Sequence, residues 1–334
     1  MTSRIPAGRR MAFALLSVAA SFGCAQQALA QTVSADDYPN RPVKIIVPFT
    51  AGGVADNSAR LVAERLTTRM KQSFVVESKP GAGGNIGNEF VAKSAPDGYT
   101  LLLGFDSTLV INPLIFSNIG FDPIKDFAPI TKLGDSTLVL LATKALPVNN
   151  VQELIAYAKK TPGLSFGTGG AGSTAHLAGE LLNIRAGIQL QHIPYKGGSQ
   201  SMADLIGGHV PLVITAVATS VGYINSGQIK ALGVLSAKRS PALPDTPTFA
   251  ESGLDGFEVP TWAGLLAPAN TPPAIVDKLY RETAAVLADP GLRKSYADLG
   301  LEPVGNTPAA FAAQIRAGLA GWEPVVKKLN FKPN

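Results

Sequence analysis

The chain has 334 residues, of which 46% are hydrophobic and 16% charged; this is apolar material for two domains with cores and too much for a disordered chain. The formal net charge of +5 falls to +2 once the first thirty residues, with Arg4, Arg9 and Arg10, are set apart. That near balance, with no Lys/Arg cluster interleaved with aromatics, argues against nucleic acid as a partner.

Those thirty residues read as a secretory signal peptide. The three arginines come first, then the apolar run Met11 to Phe22, then the small-x-small signal Ala28–Ala30. The run is too short to cross a bilayer, and no second apolar span follows, so the chain is not expected to span a membrane. Cleavage near Ala30 would remove Cys24, the one cysteine, and with it any disulfide or thiol chemistry.

Strand and helix patterns then alternate. "VKIIV" at 43–47 reads as a buried strand, and Asp56 to Met70 as a helix with Ala59, Val62, Ala63 and Leu66 on one face. "FVVES", "TLLLGF" and "TLVLLAT" are further strands. Asn150 begins a helix, with Glu153 placed as in a capping box. "LSFGTG" is a short strand, and Ser173 or Thr174 starts a helix through Leu182. "IQLQHIPY", "VPLVITAV" and "IKALGVLS" are strands, with a helix at 200–207 between the first two. This alternation argues for parallel α/β sheets. The last third is rich in Pro and turn residues at "LPDTPTFAESGLDGF", continues with "TWAGLLAP", and closes on two or three helices. Thr271-Pro272 and Thr307-Pro308 each set an N-cap before a Pro at the first helical position.

Three glycine segments lead into helices: "PFTAGGVAD", "KPGAGGNIGNEF" and "GTGGAGSTAHLAGE". Helix N-termini expose unpaired N–H groups and carry partial positive charge, and glycine lets backbone approach a ligand closely, so such turns suit a carboxylate or phosphate. Each alone could be an ordinary tight turn; three in one exported chain favour a ligand. Gly167, Gly169 and Gly172 spell G-x-G-x-x-G, but the "QLQHIPYKGG" that follows has no acid to hold a ribose, and no GxxxxGK[ST] occurs, so no nucleotide cofactor is expected. Asp56, Asp106 and Asp135 lack metal-ligand spacing, so no metal is expected. Asp56 either sits in its helix's first turn for the sake of the dipole or touches a ligand. His176 sits one turn into its helix and either faces a ligand or buttresses the loop; His192 and His209 read as structural.

These residues carry a resemblance over nearly the whole mature chain. "YPNRPVKIIVPFTAGGVAD", "VVESKPGAGGNIGNEFVAKSAPDGYTLLLG", "GSTAHLAGELL" and "IPYKGGSQSMADLIGGHV" fall in order, and the chain resembles the tripartite tricarboxylate transporter receptors, the Bug/TctC family of periplasmic solute-binding proteins. The resemblance implies an α/β, two-lobed periplasmic binding protein fold (type II-like), each lobe a mixed sheet flanked by helices, joined by two crossover strands. Residues 31–134 and 251–334 would form lobe 1 and residues 135–250 lobe 2, with crossovers near "ITKLGDS" and near "LPDTPTFAES". It implies a periplasmic carrier, a monomer without enzymatic activity, which closes on a small organic carboxylate and delivers it to the membrane components of the tripartite system. The cleft residues it implies are Phe49, Thr50, Gly52, Gly53 and Asp56 in the first loop, with Phe105, Asp106 and Ser107 beside them. The opposite wall would be Gly169, Ser173, Thr174 and His176, with Tyr195, Lys196 and Thr215.

The chain departs from the family's pattern in places. Ala51, Val54 and Ala55 stand where Pro, Gly and Thr are usual, and Val54 would narrow the cleft. Pro211, with Thr215 or Ala216, replaces an acid and an amide, so that wall is expected to be more apolar and to suit an amino acid poorly unless Asp56 or Asp106 accepts its ammonium. A second reading is an exported hydrolase or lyase acting on a carboxylic acid or ester. It would use His176 with Ser173 or Asp106, yet no G-x-S-x-G, H-E-x-x-H or Cys–His set accompanies them.

Overall fold

The computed structural model describes residues 37–52, 54–195 and 197–329. The expected signal peptide, Gly53 and Lys196 lie outside the described residues. Within them, eleven strands form two mixed sheets, and their apolar runs explain why helices cover both sheets. Ile45, Ile46 and Val47 are buried at consecutive positions, as are Leu101, Leu102 and Leu103, and Val139, Leu140 and Leu141. Consecutive burial means that both faces of a strand are covered.

The first sheet is built from β1 (Val43–Val47), β2 (Phe74–Ser78), β3 (Thr100–Phe105), β4 (Phe127–Ser136), β10 (Thr261–Pro268) and β11 (Leu301–Pro303). Their order across the sheet is β11-β4-β10-β3-β1-β2. The second is built from β5 (Leu138–Thr143), β6 (Ser165–Thr168), β7 (Gln191–Pro194), β8 (Leu212–Ala216) and β9 (Ile229–Val234). Its order is β7-β6-β8-β5-β9.

Each sheet contains the same unit. β1 is parallel to β2 on one side and to β3 on the other; β6 is likewise parallel to β7 and β8. Parallel neighbours need crossover helices. In the first sheet these are α1 (Val54–Met70) and α2 (Asn85–Ala92), in the second α5 (Thr174–Ala186) and α6 (Gly198–Ile206). Because the chain leaves β1 for one side and returns on the other, a topological switch point lies between β1 and β3, and another between β6 and β8. Ligands of open α/β sheets bind outside the carboxyl ends of strands at such points.

The alternation points to parallel sheets, but both sheets are mixed, as the family resemblance implies. β10 is antiparallel to both β3 and β4, β11 to β4, and β5 to both β8 and β9. The reason is the two crossovers. β4 leaves the first sheet at Ser136 and becomes β5 two residues later, and the chain returns through the Pro-rich segment to enter β10 beside β4 in the opposite direction. The crossovers touch, since Thr261 lies opposite Ser136 and its hydroxyl donates to the Ser136 carbonyl.

Helix patterns mostly hold. α1 buries Ala59, Val62, Ala63 and Leu66 as their spacing requires, and each large apolar side chain so buried stabilises by roughly 2 kcal/mol. The helices α3 (Asn112–Ile115), α4 (Val151–Lys160), α7 (Val221–Asn225), α8 (Pro273–Ala288), α9 (Pro290–Asp298) and α10 (Pro308–Leu329) complete the described α-helices. Asn150 caps α4 by accepting from the Glu153 N–H, while Glu153 reaches back to the Asn149 N–H, one residue earlier than a regular capping box. Thr307 accepts the Ala310 N–H at the start of α10. Thr271 does not cap α8: its hydroxyl donates to the Pro268 carbonyl, and Pro272 stands at the cap with Pro273 as the first helical residue. α8 and α10 pack on β4, which puts the C-terminal helices with the first sheet.

Candidate functional site

The described residues among those singled out from the sequence stand at or just beyond the carboxyl ends of five strands. β1 ends at Val47, and Pro48 to Gly52 turn the chain into α1. Phe49 is half-buried and meets Phe105 edge to face, ring centroids 5.1 Å apart. Thr50 and Gly52 are exposed. Gly52 has φ +84°, and a Cβ there would meet nothing within 4 Å, so glycine serves the turn's backbone and not a tight space. Val54 is 45% exposed at the start of α1.

Asp56 faces its own loop. Its Oδ2 accepts the Gly52 N–H at 3.0 Å and the Arg60 Nε–H at 2.8 Å, and its Oδ1 accepts from Arg60 Nη2 at 3.1 Å. The Arg60 hydrogen bonds, aided by the Gly52 amide, hold this carboxyl below the usual carboxylate range against the opposing effect of burial. Asp56 therefore braces the first loop from the first turn of α1.

After β3 the chain enters a π-helical turn at Ser107–Ile111, a form frequent at functional sites. Thr108 closes it by donating to the Phe105 carbonyl at 3.2 Å.

On the second sheet, Ser173 is the N-cap of α5. It accepts the His176 N–H at 3.2 Å, and its hydroxyl donates to the Gly170 carbonyl at 2.8 Å. Gly172 N–H donates to His176 Nδ1 at 3.1 Å. Nδ1 is thus the acceptor, and the proton resides on Nε2, 3.7 Å from Glu180 Oε1. The His176 ring stacks on His192, centroids 3.6 Å apart, and His192 Nε2 lies 2.7 Å from Thr168 Oγ1. His176 is the buttress of the glycine loop. The Ser173 hydroxyl is committed to Gly170 and to the helix cap, so it does not donate to His176 as a nucleophile would.

Tyr195 and Thr215 stand beside this loop. A Cβ on Gly167 would lie 2.8 Å from Tyr195 Cε2, so glycine is what lets the ring lie against β6. The Tyr195 hydroxyl donates to Asp204 at 2.8 Å, and burial together with that bond pushes the phenol up to about 12. Gly169 is exposed, and a Cβ there would come within 3.2 Å of Gly198 N, where the loops after β6 and β7 approach. The Thr215 hydroxyl sits 3.2 Å from that of Thr219.

One contact joins the two sheets at this place. Thr174, in the first turn of α5, donates through Oγ1 to Asp106 Oδ2 at 2.7 Å. Asp106 follows β3, and its Oδ1 accepts the Trp262 N–H at 3.1 Å just after the return crossover. The carboxyl is buried, and burial pushes it up to about 6 despite hydrogen bonds from Thr174 and the Trp262 and Ser107 amides. The loops after β3 and β6 are therefore face to face. Arg60 and Trp262 are participants that sequence reasoning missed, and His192, read as structural, turns out to cover the His176 ring. Trp262 contributes a backbone amide, which has no residue signature at all.

A separate cavity of about 400 Å³ lies beside the crossovers, walled by Lys132, Ser136, Thr137, Ser236, Lys238 and Thr261 among others. None of its walls comes from the glycine loops, and its Lys132 is held by Asp135 at 2.8 Å.

Known proteins share this sequence pattern and fold. A family model described as TctC, the tripartite tricarboxylate transporter family receptor, matches residues 58–331. Protein BugT of Bordetella pertussis is 37% identical over 320 residues, covering 95% of this chain and 98% of BugT. The structure of Rpa4515 of R. palustris with adipate superposes with a TM-score of 0.79 at 38% identity, covering 89% of this chain and all of that one. MatC (Rpa3494) from Rhodopseudomonas palustris with bound malate does so with a TM-score of 0.75 at 32% identity, covering 86% of this chain and all of that one.

Proposed function

The chain belongs to the tripartite tricarboxylate transporter receptor family, whose members are periplasmic solute-binding proteins and not enzymes, and from that premise we propose where and what it binds. Its cargo is one small organic carboxylate, held between the loops after β1 and β3 and the loops after β6, β7 and β8. Residues 31–134 and 251–334 form one lobe and residues 135–250 the other, in keeping with the two sheets. The chain works in the periplasm after loss of its first thirty residues and hands its cargo to the membrane components of the tripartite system. Among the described residues no helix is long and apolar enough to cross a membrane, so translocation falls to those partners.

The observation that carries this reading is the Thr174–Asp106 bond, which sets the N-terminus of α5 against the first sheet's loops. Amides in a helix's first turn attract an anion, and Ser173 and Thr174, whose hydroxyls donate to Gly170 and Asp106, hold that turn in place. No Lys or Arg occurs between Phe49 and Asp56 or between Gly167 and His176. A neutral donor set gives selectivity with easy release, as a carrier needs. The relatives that hold adipate and malate support a carboxylate of that size.

A thermal-shift screen of organic acids, led by adipate and malate, tests the reading. A ligand at a hundred times its dissociation constant adds about 2.7 kcal/mol to stability. At least one acid should raise the midpoint, and Ser173→Ala should weaken that acid's binding by about 1 kcal/mol, because it removes the cap that holds the loop's amides in place. Failure of every acid in a broad panel, or an affinity unchanged in Ser173→Ala, overturns this placement.

A further inference from the structure

We propose that Asp106 makes capture proton-coupled: each cargo carboxylate enters the cleft together with one proton from solvent, which Asp106 holds and donates to the cargo as a hydrogen bond. This rests on the reading of the cleft as a carboxylate site.

The geometry requires a counter-charge that the described residues do not supply. Asp106 and the N-terminus of α5 share the Thr174 hydroxyl, so a cargo carboxylate on that helix end lies against the Asp106 carboxylate. Two carboxylates in one desolvated place do not both stay ionised. The described groups that hydrogen-bond Asp106 are all neutral: the Thr174 hydroxyl and the amides of Trp262, Ser107 and Asp106 itself.

Titratable groups on the surrounding elements are committed elsewhere. On α5, His176 accepts from Gly172 and stacks on His192 of β7, while Glu180 lies beside the His176 ring. On β4, Asp135 stands opposite Trp262 and is paired with Lys132. In the first loop, Asp56 is paired with Arg60. Among the described residues no cation forms an ion pair with Asp106. The cheapest neutralisation is protonation of Asp106 itself, whose burial already favours the acid form. The resulting O–H donates to the cargo, and no bond other than that to the proton is made or broken. A second consequence is selectivity: a cargo that carries its own ammonium needs no proton.

Isothermal titration of the mature chain with adipate and with malate, from pH 5.5 to 8, tests the coupling. Both acids are fully ionised above about pH 6.5, so any slope there belongs to the protein. The dissociation constant should rise about tenfold per pH unit above about pH 6.5, and binding heats in phosphate and Tris should differ by the uptake of about one proton. Asp106→Asn keeps the acceptor for the Trp262 amide and offers an N–H to the cargo. It should bind with a flat pH profile and no buffer dependence. A flat wild-type profile, or a slope that survives in Asp106→Asn, overturns the coupling and leaves the carboxylate site standing. Absence of binding by any acid at every pH overturns both.

Discussion

His176 and His192 lie face to face, ring centroids 3.6 Å apart and 16° from parallel, with Phe166 5.1 Å from the second ring. Burial, and then the neighbouring His176, push His192 down to about 4, and Glu180 only partly opposes this. The unfolded chain binds a proton at His192 near pH 6.5 and the folded chain does not until about pH 4. The contribution of this group is therefore complete above pH 6.5 and is lost as the pH falls toward 4. After allowance for partial exposure, the loss is roughly 2 kcal/mol. Asp106, which is raised instead of lowered, acts in the opposite sense over the same range, so the test is a difference. In urea unfolding at pH 5 and 7.5, His192→Gln should lose less stability on acidification than wild type by about that amount. Equal losses would remove His192 from the account.

Asp56 and Arg60 should matter to binding without touching cargo. Asp56→Asn weakens three hydrogen bonds that hold Gly52 and Arg60. The Asp56 side chain is 3% exposed and that of Arg60 55%, so solvent screens half of the pair and the expected stability loss is about 1 kcal/mol. Because this carboxyl is lowered on folding, its contribution is present above pH 3.8 and disappears as the pH drops through its folded value. Thermal midpoints of wild type and Asp56→Asn should accordingly converge in acid. A constant gap from pH 7 to 3 would contradict the assignment.

Gly167 is where the second wall has no room for a methyl group. A Cβ would lie 2.8 Å from Tyr195 Cε2 and 3.3 Å from Val213 Cγ2. Gly167→Ala should cost about 1–3 kcal/mol, the usual penalty for overfilling a packed place. Tyr195→Phe, which keeps the ring and loses only the bond to Asp204, should cost about 1 kcal/mol. Calorimetry that found the alanine variant as stable as wild type would show that the ring moves aside freely.

How much of this was legible in the sequence depended on distance along the chain. Apolar runs such as "VKIIV" and turns such as "TAGG" are local, and the strands and loops they mark are where expected. Strand direction is not local. Nothing within β4 or β10 states that they run antiparallel, and β4 mixes Pro129, Lys132, Gly134 and Asp135 into a strand that still buries its middle. The Asp56 carboxylate fitted a favourable first-turn charge and a ligand contact equally well, since both ask for an acid at that place. The bond between Asp106 and Thr174 spans 68 residues and that to Trp262 spans 156. The family resemblance supplied Asp106 and Thr174 as separate cleft residues; their meeting is a property of the fold. His192, in a strand at the edge of its sheet, gave no sign that a second ring would cover it.

Thr174→Val tests whether the bond between the two sheets helps the cleft to close. Valine has nearly the shape of threonine but no donor, so Asp106 Oδ2 loses its partner while staying buried. An unpaired buried carboxylate is costly, about 1–3 kcal/mol for a neutral acceptor and more for a charged one. The protein can relieve that cost in two ways: it can protonate Asp106, or it can part the lobes so that water reaches the carboxylate. Opening requires no proton and should dominate above neutral pH. Small-angle X-ray scattering at pH 7.5 without cargo should therefore show a larger radius of gyration for Thr174→Val than for wild type, and the difference should shrink at pH 5, where the acid form of a buried Asp106 is favoured. Affinity for the acid identified by thermal shift should fall about tenfold, since closure must now proceed without the bond. Scattering curves identical at both pH values would mean that the lobes are held by other contacts, such as the approach of Gly300 to Ala218 beside the crossovers.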